Sequence, residues 1–201
     1  MLEVLRQPLE DGVVTLSRAA ARLTFPARFT LIAAMNPCPC GHLGNPVHAC
    51  SCGPGVVDRY HARISGPLLD RIDIHLRVPA VPYAELGRDA PGEPSAAIRC
   101  RVEAARDRQR ERFRARAGIH ANAHMGSREV RKHCRQTEEV AGILRTAVER
   151  LGLSARGCHR VLKLSRTIAD LAGGEEIEPA HVREAIQYRS LDRKAGHGVT
   201  G

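Results

Sequence analysis

Four cysteines in one short segment have the spacing of a metal site. They form two C-x-C pairs with nine residues between the pairs: Cys38, Cys40, Cys50 and Cys52. Four thiolates can hold Zn²⁺ in a closed tetrahedral site, which is structural rather than catalytic. The Gly- and Pro-rich segment cannot pack a core of its own, so a metal would organise it. His42 and His48 are alternative ligands, and four unmetallated, partly buried thiols are the other interpretation.

The remaining three cysteines are isolated from one another in segments predicted to be helical. They are Cys100, Cys134 and Cys158. A single thiol away from other ligands behaves as a small apolar side chain. We therefore predict that each of them packs in the core.

Two polar residues border predicted strands. Asn36 ends the apolar run 29–35, and Arg71 precedes the alternating run 72–78. Side chains at strand ends face ligands in open α/β sheets. Asn36 can therefore orient a water against a γ-phosphate, and Arg71 can enter the phosphate site of a neighbouring subunit. The alternatives are a turn cap for Asn36 and a surface salt bridge with an adjacent aspartate for Arg71.

Three further arginines are placed to contact phosphates. Arg156 begins the predicted helix 155–172, and its planar guanidinium can reach a phosphate from a lid domain. The alternative for Arg156 is a solvated arginine at a helix start. A β-hairpin is predicted over residues 13–25, with Arg18 and Arg22 near its tip. These two side chains are candidate contacts to the DNA backbone.

The elements that must position these residues divide the chain into an α/β part and an all-α part. Residues 1–80 are predicted to form a partial α/β core with an incomplete sheet, the hairpin and the Cys-rich loop 38–52. A linker (81–94), a helical lid (95–193) and a flexible tail (194–201) are predicted to follow. The helices are predicted over residues 2–9, 56–64, 95–117, 127–134, 137–151, 155–172 and 179–188.

Composition sets limits on the class of protein. Hydrophobic residues make up 43% of the chain and aromatic residues 3%, which predicts an aliphatic core. No apolar run is long enough for a membrane span, and no signal peptide is recognisable. We expect a cytoplasmic protein whose thiols stay reduced, with no membrane partner.

The positive charge lies in the second half of the chain. Residues 1–95 contain nine Lys or Arg and nine Asp or Glu, whereas residues 96–201 contain 22 and 13 and so carry the whole net charge of +9. A basic half indicates a polyanionic partner such as DNA. Solvated helices in an Arg-rich sequence are the alternative explanation.

Three segments, taken in order, resemble a known family. They are FPARFTLIAAMNPCPCG, RISGPLLDRIDIH and LSARGCHRVLKLSRTIADLAG. The chain resembles the magnesium-chelatase-like AAA+ ATPases of bacteria, of the ComM/YifB type, from about residue 2 to about residue 193. The resemblance implies the C-terminal portion of an AAA+ core followed by a helical lid, the magnesium-chelatase-like C-terminal domain.

The same resemblance implies roles for the candidate residues. Asn36 matches sensor 1, Arg71 the arginine finger given to the adjacent subunit, and Arg156 the sensor 2 arginine. The hairpin 13–25 matches one that projects toward the central pore of related helicases. The implied partners are identical or full-length subunits in a ring, expected to be a hexamer, together with DNA. The implied cofactors are ATP and Mg²⁺ in the complete module.

The chain departs from the family pattern in lacking a P-loop. No G-x-x-x-x-G-K-[ST] motif is present. We therefore expect a C-terminal fragment of a DNA motor or helicase, acting in recombination or natural transformation, that does not hydrolyse ATP alone. One alternative is a chelatase-type ATPase subunit that drives metal insertion into a tetrapyrrole. Another is a non-enzymatic, zinc-containing module that binds nucleic acid.

Overall fold

The computed structural model describes residues 2–18, 21–79, 81 and 92–189. The chain separates into two compact units. The N-terminal unit comprises Met1–Ile72 and Arg77–Val81, and the C-terminal unit comprises Asp73–Leu76 and Pro82–Gly201.

The N-terminal unit contains short helices and one hairpin. Its elements are a 3₁₀ turn (Leu2–Leu5), α1 (Arg6–Asp11), β1 (Val13–Arg18), β2 (Ala21–Pro26), α2 (Pro54–His61) and α3 (Gly66–Leu69). Gly12 ends α1 with a φ of 66°, a left-handed conformation that glycine adopts without strain. The strands are antiparallel, with Val13 opposite Pro26 and Arg18 opposite Ala21. The predicted hairpin is therefore confirmed, and it ends at Pro26 rather than at residue 25.

The prediction of strands over residues 29–35 and 72–78 was wrong. Neither segment forms a helix or a strand. Their apolar side chains are largely exposed, as Ile32 (91%) and Val78 (85%) show. A buried strand needs hydrogen-bonded neighbours, and the only sheet among the described residues is the pair β1–β2. Hydrophobic composition alone therefore does not predict a strand, because it does not supply a neighbouring strand for hydrogen bonding.

The C-terminal unit is helical, as predicted. Its elements are α4 (Ser95–Phe113), a 3₁₀ turn (Asn122–His124), α5 (Ser127–His133), α6 (Glu138–Leu151), α7 (Ala155–Leu171) and α8 (Pro179–Gln187). The hydroxyls of Thr137 and Ser154 cap α6 and α7 by accepting hydrogen bonds from Val140 N (3.3 Å) and Gly157 N (3.0 Å). Gly152 ends α6 with a φ of 65°.

The core of this unit is mainly aliphatic, as its composition predicts. Buried side chains of α5, α6, α7 and α8 form one cluster that includes Val140, Leu144, Val161, Leu162 and Val182. Phe113, at the end of α4, packs into the same cluster.

A buried polar network joins α4 to α7. Asp170 is fully buried and accepts hydrogen bonds from Arg112 Nη1 (2.7 Å) and Asn122 Nδ2 (2.7 Å). Arg166 pairs with the same carboxylate at 3.2 Å and donates to the carbonyl oxygens of Gly174 (2.7 Å) and Glu175 (2.6 Å). The buried charges are therefore paired and hydrogen-bonded, as a low-dielectric environment requires.

Candidate functional site

The structure brings the four predicted cysteine ligands together. The Sγ atoms of Cys38, Cys40, Cys50 and Cys52 all lie within 4.8 Å of one another. Three of the separations are 3.3 Å (Cys38–Cys40), 3.5 Å (Cys40–Cys50) and 3.6 Å (Cys38–Cys50). Tetrahedral Zn²⁺ with Zn–S bonds of about 2.3 Å needs sulfurs about 3.8 Å apart, so a small expansion would accommodate it. Among the described residues, His42 and His48 do not join this group.

The loop that carries the cysteines is held in shape by local contacts. Asn45 Oδ1 accepts hydrogen bonds from Val47 N (2.8 Å) and His48 N (3.0 Å). His61 Nε2, at the end of α2, donates to the carbonyl oxygen of Pro37 at 2.7 Å. The first C-x-C pair is therefore fixed to α2 by a contact 24 residues away in sequence.

The thiols of the cluster differ in acidity. The backbone N–H of His42, with further hydrogen bonds from Cys38 and Ser51, lowers the pKa of Cys40 to about 5. The backbone N–H of Cys52 acts to lower the pKa of Cys50, but burial and the neighbouring thiols outweigh it and raise that pKa to about 12. A bound metal dication would replace the protons that the raised pKa values keep on Cys50 and Cys52.

Arg71 is held by two contacts within the N-terminal unit. Its Nη1 donates to the carbonyl oxygen of Pro67 at 2.6 Å, and its Nη2 pairs with the carboxylate of Glu10. The side chain is only 10% exposed, and its Nε–H is buried without a partner among the described residues. The sequence offered a salt bridge between Arg71 and an adjacent aspartate as an alternative. The carboxylate that the structure places on Arg71 Nη2 is instead that of Glu10, which lies 61 residues away in the sequence.

Asn36 and Arg156 are both exposed. Asn36 lies in a segment without helix or strand. Arg156 is the second residue of α7, so its predicted position at a helix start is confirmed. Asn36 and Arg156 belong to different units, so their joint action on a bound nucleotide stays a prediction.

The two hairpin arginines are exposed near the end of the hairpin. Arg18 is the last residue of β1, and Arg22 is opposite Ser17 in the register. Their guanidinium groups can therefore meet a ligand from solvent, as the sequence predicts.

Of the three isolated cysteines, one was assigned wrongly. Cys134 is buried, and burial raises its pKa to about 11. Cys158 is half-buried and packs against the helical core. Cys100 is instead exposed on α4.

Comparison with known proteins identifies the family. The profile "Magnesium chelatase, subunit ChlI" matches residues 1–86, and "Magnesium chelatase, subunit ChlI C-terminal" matches residues 92–189. The chain belongs to the magnesium chelatase-like family of AAA+ proteins.

Relatives place this magnesium chelatase-like chain in the ComM/YifB group. It is 44% identical to Competence protein ComM of Haemophilus influenzae over 194 residues, which are 96% of this chain and 37% of that protein. It is 43% identical to YifB of Escherichia coli over 98% of this chain and 38% of the relative. A Mycobacterium tuberculosis relative is 37% identical over 94% of this chain and 37% of its own length. The chain thus spans less than two fifths of each relative, and these names do not favour the chelatase-type alternative.

One feature of the N-terminal unit is not among the sites predicted from the sequence. Arg59, Tyr60 and Arg63 line a groove at the end of α2, beside Pro39 of the Cys-rich loop. The i, i+4 spacing of the two arginines in a predicted helix was the available signal.

Among the described helices, none combines the length and the apolar character needed to cross a membrane.

Proposed function

We propose that the chain is the C-terminal part of a ring-forming, ATP-driven motor that acts on DNA in recombination or natural transformation. The observation that carries the proposal is the 44% identity to Competence protein ComM along 96% of the chain. Competence is the capacity of a cell to take up DNA, so a motor of this group would act on incoming strands. Exposed Arg18 and Arg22 on the hairpin support a DNA contact.

In this proposal Arg71 acts on ATP bound by the adjacent subunit. Contacts at both ends of its guanidinium fix the direction of the positive charge before any ligand arrives. Preorganised charge stabilises the transition state of phosphoryl transfer without a reorganisation cost. Asn36 would orient the attacking water, and Arg156 would contact the phosphates from a helical lid.

ATP and Mg²⁺ would be bound by the complete module. A P-loop cradles the phosphates and helps to hold Mg²⁺, and this sequence contains none. The chain's own contribution would be charge and orientation from Asn36, Arg71 and Arg156. We therefore expect the isolated chain to show no ATP hydrolysis.

We also propose that Cys38, Cys40, Cys50 and Cys52 bind one structural Zn²⁺. The mutual approach of the four sulfurs within 4.8 Å supports this assignment. A closed four-thiolate site leaves no open position for a substrate, so its role would be to fix the loop.

A chimera tests the motor proposal. The matched 194 residues of Haemophilus influenzae ComM are replaced by this chain, and ATP hydrolysis is measured with and without DNA. We expect hydrolysis by the chimera and none by the isolated chain. A chimera that is folded and assembled but inactive, or activity in the isolated chain, would contradict the proposal.

A second candidate is a non-enzymatic, zinc-containing module that binds nucleic acid. The cysteine cluster and the net charge of +9 favour it independently of any ATP chemistry. It predicts salt-sensitive DNA binding by the chain and a chimera whose ATP hydrolysis does not depend on Arg71.

A further inference from the structure

The end of α2 forms a groove in the N-terminal unit that the roles proposed above do not use. Its volume is about 700 Å³, within the range of roughly 300–1,000 Å³ typical of small-ligand sites. The lining residues are Pro39, Val56, Arg59, Tyr60, Ala62 and Arg63. Two cations, one aromatic ring and three apolar side chains therefore face the same space.

The two arginines of the groove are available to a ligand. Arg59 lies in the last turn of α2 and Arg63 two residues beyond its end, and both are exposed and line the groove. Neither makes an ion pair or a hydrogen bond with the part of the chain that the structure describes. Arg6 and Arg71 of the same unit are instead paired with Glu3 and Glu10. None of these six described lining residues is acidic, so the lining itself carries two positive charges and no negative one.

The aromatic ring of the groove already has a cation beside it. The guanidinium carbon of Arg63 lies 5.8 Å from the centre of the half-buried Tyr60 ring. Pro39 and Val56 provide apolar surface nearby. A flat, apolar, electron-rich group can stack on such a surface while an attached anion meets the arginines.

We propose that this groove binds single-stranded nucleic acid, with backbone phosphates on Arg59 and Arg63 and one base stacked on Tyr60. Alternating phosphates and unstacked bases match this alternation of guanidinium and ring. In a duplex the base faces are stacked on one another, so only the phosphates would remain for contact. The inference rests on the proposed action on DNA and assigns the single strand to α2 rather than to the hairpin arginines Arg18 and Arg22.

Fluorescence anisotropy of the full chain tests the assignment. The probes are a labelled oligothymidylate of about 16 nucleotides and a duplex of the same length. We expect tighter binding to the single strand. Arg59→Glu combined with Arg63→Glu should weaken that binding at least about tenfold and reduce the slope of log K against log salt by about 1.4, the share of two phosphates.

Variants of Tyr60 separate stacking from charge. Tyr60→Ala should weaken single-strand binding about five- to a hundredfold, whereas Tyr60→Phe, which keeps the ring, should change it less than about twofold. This pair keeps the test valid if the double charge reversal does not fold. Photo-crosslinking of an iodouracil-substituted strand should modify α2, with Tyr60 as the main site.

The control is Arg18→Glu combined with Arg22→Glu, which changes the charge by the same amount. Single-strand binding that is lost in this control but kept in the α2 variants would overturn the groove assignment and leave the motor proposal intact. Equal binding of polyglutamate, unaffected by Tyr60→Ala, would show a general anion patch and also overturn it. No binding of either DNA by the chain or the ComM chimera would overturn the proposed function itself.

Discussion

Arg112 Nη1 and Asp170 Oδ2 lie 2.7 Å apart, although the two residues are 58 positions apart in sequence. The second nitrogen of the guanidinium, Nη2, lies 2.5 Å from Oδ1 of the same carboxylate. This two-point contact joins α4 to α7 inside the C-terminal unit. Because the Asp170 side chain is fully buried and that of Arg112 is only 16% exposed, salt screens this contact much less than it screens a surface pair.

Removing this carboxylate should destabilise the chain strongly. Asp170→Ala leaves Arg112 and Arg166 as partly or fully buried charges without their counterion, which should lower the free energy of unfolding by about 3–5 kcal/mol. Urea denaturation followed by circular dichroism measures the loss. Asp107→Ala is the matched control because the Asp107–Arg110 pair is exposed, so a change of about 0.5 kcal/mol or less is expected. Equal effects in both variants would contradict the interpretation.

Metal analysis should find one Zn²⁺ per chain in protein purified without chelator. Cys38→Ser combined with Cys50→Ser should abolish binding, since two of the four ligands of the cluster are removed. Cys100→Ser should keep the metal because Cys100 is exposed and outside the cluster. Wild-type protein without metal, or a double variant that retains it, would refute the site.

Glu129 should make the stability of the chain depend on pH. Its backbone N–H, together with hydrogen bonds from Arg116 and Gly126, lowers the pKa of this carboxyl below its usual range despite partial desolvation. A depressed folded-state pKa adds stability above the unfolded value, near pH 4.5, and that stability is lost as the pH falls through the folded value. Glu129→Gln should therefore be less stable than the wild type at pH 7, and the two should converge at lower pH. Glu103→Gln, at an exposed position of α4, is the control and should change the free energy of unfolding at pH 7 by about 0.5 kcal/mol or less.

Arg71 should act across a subunit boundary. In the ComM chimera, Arg71→Ala should lower ATP turnover by on the order of 10³–10⁵. Mixing this variant with a chimera that lacks only the P-loop lysine should recover part of the rate, because each supplies what the other lacks. Unchanged turnover in the Arg71→Ala chimera would refute the arginine-finger role, and no recovery on mixing would refute action in trans.

Local signals explain which elements could be predicted from the sequence. Two helices of the C-terminal unit, α6 and α7, begin at the side-chain caps Thr137 and Ser154, and α6 ends at Gly152. These signals depend on residues only a few positions apart. The cysteine cluster was predictable for a similar reason, because all four ligands lie within one loop.

Long-range partners explain what could not be predicted. The apolar run 29–35 was predicted as a strand although no neighbour for it exists among the described residues. Glu10 and Arg71 meet across 61 positions, and no local pattern links them. The groove at α2 depends on Pro39 being brought against the helix by the His61–Pro37 hydrogen bond.

The exposed side chains of residues 29–35 and 74–78 affect how the purified chain behaves at high concentration. Ile32 is 91% exposed, Leu76 68% and Val78 85%, and none lies in a helix or a strand. Exposed apolar segments of this kind promote association between molecules. The apparent molar mass from light scattering should therefore rise with protein concentration. Salting-out ions should strengthen this rise because they favour apolar contact. We therefore expect the chain to stay dispersed in dilute samples of low ionic strength.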